Sequence, residues 1–321
     1  MAVGDQAAAA VHSYVALGKE ATFGTYASAT TAVEALSCSF MTEVKHQKLD
    51  GMYGNRGSAR RVPLEREVKG TLEQYFHPQE SVLLLANAMA GQVSSTAQTL
   101  STLHSISAGN FTNSIASLSF NVRKGPASSP GPFTWRYSGG RCNQMKMTGE
   151  VGQPVKVSFD MIFQDSTNGT DDIATILSLS SVQPFTFVGG TFWLAASEGA
   201  LTSTLAEPIQ SFELTINNNL KSDKEARALG RSTIQVLPAT RREIGFKITQ
   251  RFDTTTVYSR FTSATEASVE LNFSGAAIVA ATTASEYFMR CQIILPRVVQ
   301  ATGDTSLKSP GDILEAELDY D

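Results

Sequence analysis

The sequence predicts a mainly β protein built from two tandem β-sandwich or β-barrel domains, each flanked by one α-helix. Three observations carry that expectation. Apolar and polar residues alternate with a period of two over much of the chain, which puts successive side chains on opposite faces of a strand. A strand, loop, strand, helix unit is written twice. The 321 residues suffice for two cores of ordinary size.

In the first unit, the even positions from Val62 to Phe76 (Val62, Leu64, Arg66, Val68, Gly70, Leu72, Gln74, Phe76) form a mostly apolar face. The odd positions Glu65, Glu67, Lys69 and Glu73 form a charged one. The stretch before it sets Leu36, Cys38, Phe40 and Val44 against Ser37, Ser39, Glu43, Lys45 and Gln47. Together they predict a long hairpin with one dry face, strands 36–47 and 62–76. Between them Asp50 to Arg61 is rich in Gly and Arg and has no period, which reads as a long loop of the kind that tends to be functional. Pro78 then opens a helix with Val82, Leu85 and Met89 on one face, closed by Gly91.

The unit recurs. Phe212, Leu214, Ile216 and Leu220 alternate with Glu213, Thr215, Asn217 and Lys221, and a Gly- and Arg-containing loop runs to about Ser232. A second strand, within 236–252, sets Ile244, Phe246, Ile248 and Phe252 against Glu243, Lys247, Thr249 and Arg251. Asp253 is a helix N-cap candidate with Val257 and Phe261 behind it. At a fixed offset the halves share Arg66/Arg242, Glu67/Glu243, Gln74/Gln250, Phe76/Phe252 and Ala88/Ala264. Leu118, Phe120 and Val122 match Val269, Leu271 and Phe273, Arg141-Cys142 matches Arg290-Cys291, and Val155 to Phe163 matches Ile313 to Tyr320. A duplication accounts for this, with domains at 1–182 and 183–321; two β-rich halves that merely alternate alike are the alternative.

Composition narrows the function. Charged residues are 17% of the chain and the net charge is -4, which argues against a protein held to nucleic acid by non-specific charge. The start M-A-V-G-D has no basic residue before its short Ala run, so no secretory leader is expected. Three cysteines are too few for a disulfide framework. None of the four histidines stands at metal-ligand spacing, and no nucleophile elbow or phosphate loop appears, so neither a cofactor, a metal nor an enzymatic activity is expected.

Several segments resemble the tail tube, or major tail, proteins of long-tailed bacteriophages, in the form with a duplicated tube domain. They are S-Y-V-A-L-G-K-E-A-T-F-G-T-Y, R-V-P-L-E-R-E-V-K-G-T-L-E followed by H-P-Q-E-S-V-L-L-L, S-F-E-L-T-I-N-N-N-L-K, R-R-E-I-G-F-K-I-T-Q-R-F and I-I-L-P-R-V. The resemblance implies a structural virion protein, made in the bacterial cytoplasm, whose homotrimeric, pseudo-hexameric rings stack into a tube that delivers double-stranded DNA without binding it specifically. It implies tape-measure, tail-tip and tail-terminator partners and no membrane insertion. Glu43, Lys45, Glu65, Glu67, Lys69, Glu73, Glu213, Glu243, Lys247 and Arg251 would face the lumen. Asp50, Tyr53, Asn55, Arg56, Arg60, Arg227 and Arg231 would lie on loops reaching the next ring, and Arg66 and Arg242 at the subunit seam. With Lys221 and Arg241 counted, acids and bases on the two hairpins balance. About 24 strands at roughly 4.8 Å spacing would form a barrel about 37 Å in diameter before tilt, leaving a channel a DNA duplex could pass.

A β-sandwich binding or adhesion module, for a carbohydrate or protein ligand on a virion or cell surface, is the alternative. It predicts an exposed aromatic cluster, whereas Trp135 and Trp193 occur singly.

Overall fold

The computed structural model describes residues 13–49, 60–90, 92–98, 101–108, 116–124, 133–169, 182–196, 198–203, 208–251, 261–279, 287–302 and 315–320. The first half holds β1 (Tyr14–Lys19), β2 (Thr31–Val33), β3 (Ala35–Cys38), β4 (Met41–Leu49), β5 (Arg60–Tyr75) and the helix α1 (Val82–Ala88). After these come β6 (Gln92–Ala97), β7 (Thr102–Ser107), β8 (Leu118–Lys124), β9 (Phe133–Glu150), β10 (Lys156–Phe163) and β11 (Asp165–Asn168). The second half holds β12 (Gly190–Ala195), β13 (Ile209–Asn217), β14 (Glu243–Arg251), β15 (Glu266–Val279), β16 (Tyr287–Val299) and β17 (Glu315–Tyr320).

These strands form two layers. A large antiparallel layer runs β17-β14-β13-β9-β10-β5-β3, with β4 continuing along β5 past the end of β3. Two smaller sheets back it: β2-β1-β8-β9-β11 in the first half and β12-β15-β16 in the second. Among the described residues no sheet closes on itself, so the architecture is a β-sandwich. β13 pairs with β9 from Ser211↔Glu150 to Asn217↔Gln144, which joins the halves in one layer.

The apolar faces meet in one cluster that spans both halves. Leu17, Phe120 and Tyr137 enter it from the first small sheet, Leu72, Met147, Phe159 and Phe246 from the large layer, and Leu271 and Phe273 from the second small sheet. Each such side chain contributes about 1.5–3 kcal/mol by leaving water. Phe185 sits where the halves meet: its N–H donates to the Phe76 carbonyl (2.9 Å), its carbonyl accepts from Val155 N–H (2.9 Å), and its ring lies 5.1 Å from Phe76 and 6.1 Å from Phe273.

Two expectations change in detail. The strand 36–47 breaks at Ser39 and Phe40, because Phe40 turns into the core (2% exposed) and meets the rings of Phe120, Tyr137 and Phe163 edge-on. Gly70 permits this, since a Cβ there would stand 2.7 Å from Phe40 Cα. The helix starts after Ser81, and Leu84, Asn87 and Ala88 are its buried residues rather than Val82, Leu85 and Met89. Asn87 faces inward because its side chain serves the backbone: Oδ1 accepts from Cys142 N–H (2.6 Å) and Nδ2 donates to the Ala116 carbonyl. In the second half 261–263 form a helical turn; Asp253 and Val257 lie outside the described residues.

β9 bends where it passes from the small sheet to the large one. Gly139 takes φ +69°, the left-handed region that glycine tolerates, and a Cβ there would lie 2.6 Å from Gln164 Cβ. The buried carboxylate of Glu20 holds this joint: Oε1 accepts from Gly139 N–H (2.7 Å) and Ser119 Oγ (2.6 Å), and Oε2 from Gly24 N–H (2.9 Å). Among the described residues no helix is long and apolar enough to cross a membrane.

Candidate functional site

The outer face of the large layer gathers most of the charged residues singled out above. Register fixes this. Glu43↔Glu67 and Lys45↔Glu65 pair between β4 and β5, and Glu73 faces Ser158 on β10. Glu213 stands between Thr148 on β9 and Lys247 on β14, and Lys247 in turn faces Asp319 on β17. Glu243 and Arg251 close the two ends of β14 on the same face. All ten lumen-facing candidates therefore share one surface.

The lysines on this face are mostly held by carboxylates. Lys45 Nζ lies 3.4 Å from Glu65 and 3.7 Å from Glu67, and Lys69 3.3 Å from Glu67. Lys146 lies 2.9 Å from Glu213 and Lys247 3.1 Å from Asp319. Glu67 and Glu65 raise the Lys45 ammonium above its usual range, and Asp319 does the same for Lys247. Exposed pairs of this kind add little stability, about 0–1 kcal/mol each. Their effect is to tie up positive charge.

Register also adds residues that reading the two hairpins alone misses. Lys146 and Glu150 on β9, Lys156 and Asp160 on β10, and Glu317 and Asp319 on β17 stand on the same face. Their alternation was present in the sequence, but without the strand order it could not be assigned a side. Lys221 and Arg241 lie outside β13 and β14 and drop out. Among the described side chains, the face from Glu43 to Asp319 thus carries ten carboxylates (Glu43, Glu65, Glu67, Glu73, Glu150, Asp160, Glu213, Glu243, Glu317, Asp319) against six bases (Lys45, Lys69, Lys146, Lys156, Lys247, Arg251), so the expected balance becomes an acidic excess, which Lys48 and Arg61 narrow to ten against eight. Beyond the bulge at Lys45/His46 the projecting end of the hairpin adds Lys48 and Arg61, paired with each other in register.

The remaining candidates are placed as follows. Asp50, Tyr53, Asn55 and Arg56 lie outside the described residues, and Arg60 is paired with Leu49 at the start of β5. Arg227 is folded back: it donates to the Ser232 carbonyl (2.8 Å) and the Arg66 carbonyl (3.3 Å) and stands 3.9 Å from Glu65. Arg231 is exposed beside Leu229, at the turn where Gly230 takes φ +81°. Arg66 pairs with Asp165 (3.0 Å) and donates to Ser166 Oγ (3.0 Å). Arg242 Nε donates to Asn218 Oδ1 (3.0 Å), and burial pushes its guanidinium down from its usual value. Asn218 Nδ2 then donates to the carbonyls of Ala88 (2.8 Å) and Cys142 (3.0 Å), so Arg242 stands at the join between halves. Among the described residues no group of three His, Cys, Asp or Glu comes together to hold a metal.

Among the described residues the large layer closes on no further strand at either end, which makes the chain a mainly β sandwich with one ion-paired, solvent-facing sheet. No curated protein matches the chain. The family model described as phage tail tube protein matches residues 11–321, and the chain belongs to that family. It is accordingly a structural protein of the phage tail, self-assembling into the tube among the other tail components.

Proposed function

We propose that three copies close into a pseudo-sixfold ring, that rings stack into the tube, and that DNA passes along the ion-paired face. The observation that carries this reading is the strand order. β3-β5-β10-β9 is followed in the same layer by β13-β14-β17 and then by the run at Gln300, which pairs with Tyr320 while Ala301 N–H donates to the Asp319 carbonyl. The join of β9 to β13 inside one chain is then the pattern for a join between chains, in which the edge of β3 and β4, which meets no further strand among the described residues, takes the Gln300–Thr302 edge of a neighbour. Such a head-to-tail contact generates a ring when the rotation closes. It also removes both exposed edges. Residues 1–182 and 183–321 are the two repeating units.

The acidic excess of the face supports passage without holding, since carboxylates outnumber bases on it and four of the lysines are already paired with them. Arg242 marks the seam within the chain, and Arg66 stands at the equivalent place beside the free β4 edge, where Thr42 Oγ1 meets Ser166 Oγ at 2.5 Å. The loops 50–61 and 222–232 reach the adjoining ring, the second through Arg231 with Arg227 anchoring its base. Tape-measure, tail-tip and terminator proteins are the remaining partners, and assembly takes place in the host cytoplasm. Electron microscopy of the purified protein across concentration, with and without tail-tip proteins, tests the reading. Striated tubes with three chains per ring are expected; uniform monomers throughout would overturn it.

A further inference from the structure

We propose that the β6–β7 hairpin is a docking element for a second copy of this chain, received by the open outer edge of that copy's β16; the inference rests on the tube reading above. The hairpin is a two-stranded sheet by itself, in register Val93↔Ile106, Ser95↔His104 and Thr96↔Leu103, and α1 is the element β7 lies against. A two-stranded hairpin is marginal in water without further packing. Here Val93 (42% exposed) and Leu103 (58% exposed) lie in solvent on opposite faces.

Composition points the same way. From Ser81 to Val122 the chain has no Asp, Glu, Lys or Arg. Exposed strands that must stay single are normally guarded by charge, proline or a bulge. This hairpin carries no charge and no proline, and its register runs without a shift. It also has no counterpart in the repeat: past Ala264, the match of Ala88, β15 begins at once with Glu266. The hairpin therefore serves something other than the shared fold.

A receiving edge exists on the same molecule. In the first half the edge of β9 away from β8 is covered by β11, from Trp135↔Asn168 to Ser138↔Asp165. In the second half β16 pairs with β15 along its length, and among the described residues its other edge meets no strand before Gln300. Phe288 and Ile294 (each 37% exposed) stand on that strand. A six-residue strand such as β6 or β7 fits within this run and would add to it through main-chain hydrogen bonds. The tube protein meets copies of itself at high local density, and one contact covers both open features.

Hydrogen exchange on the unmodified protein, as monomer and as tube, tests this. Amides of 92–107 should exchange about 100-fold more slowly in the tube, and those of 287–298 should slow with them. Tubes in which the hairpin stays unprotected would overturn the inference and leave the tube reading standing. A hairpin protected while β16 is unchanged, or only when a different tail protein is added, would overturn the stated acceptor or partner. A chain that never assembles refutes both readings. As a second measurement, Val93→Lys with Leu103→Lys, and separately Ile294→Lys, should leave the monomer's melting temperature unchanged and cut tube yield about tenfold or more; undiminished yield from both variants would overturn the proposal.

Discussion

Glu20 is a single carboxylate on which one neighbouring and two distant donors converge. Its acceptors serve Gly24 and Gly139 N–H and Ser119 Oγ, and the last two partners are far from it in sequence. Glu20→Ala leaves buried donors at Gly139 and Ser119 without a partner, and the expected loss is about 3 kcal/mol in urea denaturation with the slope unchanged. Asp160 behaves in the opposite sense. Burial raises its carboxyl above the usual range, against the lowering effect of its hydrogen bond with Asn143 and of Lys69. Because the folded pKa exceeds the unfolded one, its stabilising contribution is present below the unfolded pKa and lost as pH rises through the folded one. Asp160→Asn should therefore melt higher than the parent at pH 7, with the gap closing toward pH 3, as thermal denaturation at the two pH values would register. Neither residue could be understood from the sequence, since the partners Ser119 and Gly139 of Glu20 lie far along the chain and the side of Asp160 depends on register with β5 and β9.

Among the elements, the β4–β5 hairpin divides into a part that belongs to the core and a part that projects. From Val68 to Leu72 its apolar residues are fully buried, whereas Val44, Val62, Leu64 and Leu49 remain 38–49% exposed. Leu49 and Arg60 already face each other, so residues 50–59 can be replaced by an Asn-Gly turn without disturbing the register. That variant should keep the parent's melting temperature and lose tube stacking, scored by sedimentation and microscopy; tubes of normal length would remove the loop's proposed role. The two-residue period made these strands legible because each has one wet and one dry face. What it could not supply was the break at Phe40, which depends on Gly70 lying alongside, or the side of α1 that is buried, which Asn87 decides by hydrogen bonding and not by hydrophobicity. The charge of the face was misjudged for a related reason: β9, β10 and β17 supply Glu150, Asp160, Glu317 and Asp319, and only the strand order places them beside the hairpins.

At the scale of the whole molecule, the β9–β13 pairing and the main apolar cluster from Val15 to Tyr320 make the two halves share both a layer and a core. Calorimetry should therefore show one cooperative transition and not two. Phe185→Ala, which empties the place where Phe76 and Phe273 meet, should lower that transition by about 3–5 kcal/mol of stability without splitting it. Two separated peaks would show that each half holds together alone. The strand order was accessible from sequence only as a repeat; which strand of one half touches which strand of the other depends on contacts far apart along the chain. The same internal join bears on how assembly begins. In the three-chain ring proposed above, half of the seams would be made while each chain folds, at an effective concentration set by the connecting peptide and not by the number of molecules in the cell. Ring closure would then need fewer encounters than six separate units, and its onset would respond less steeply to the amount of protein made.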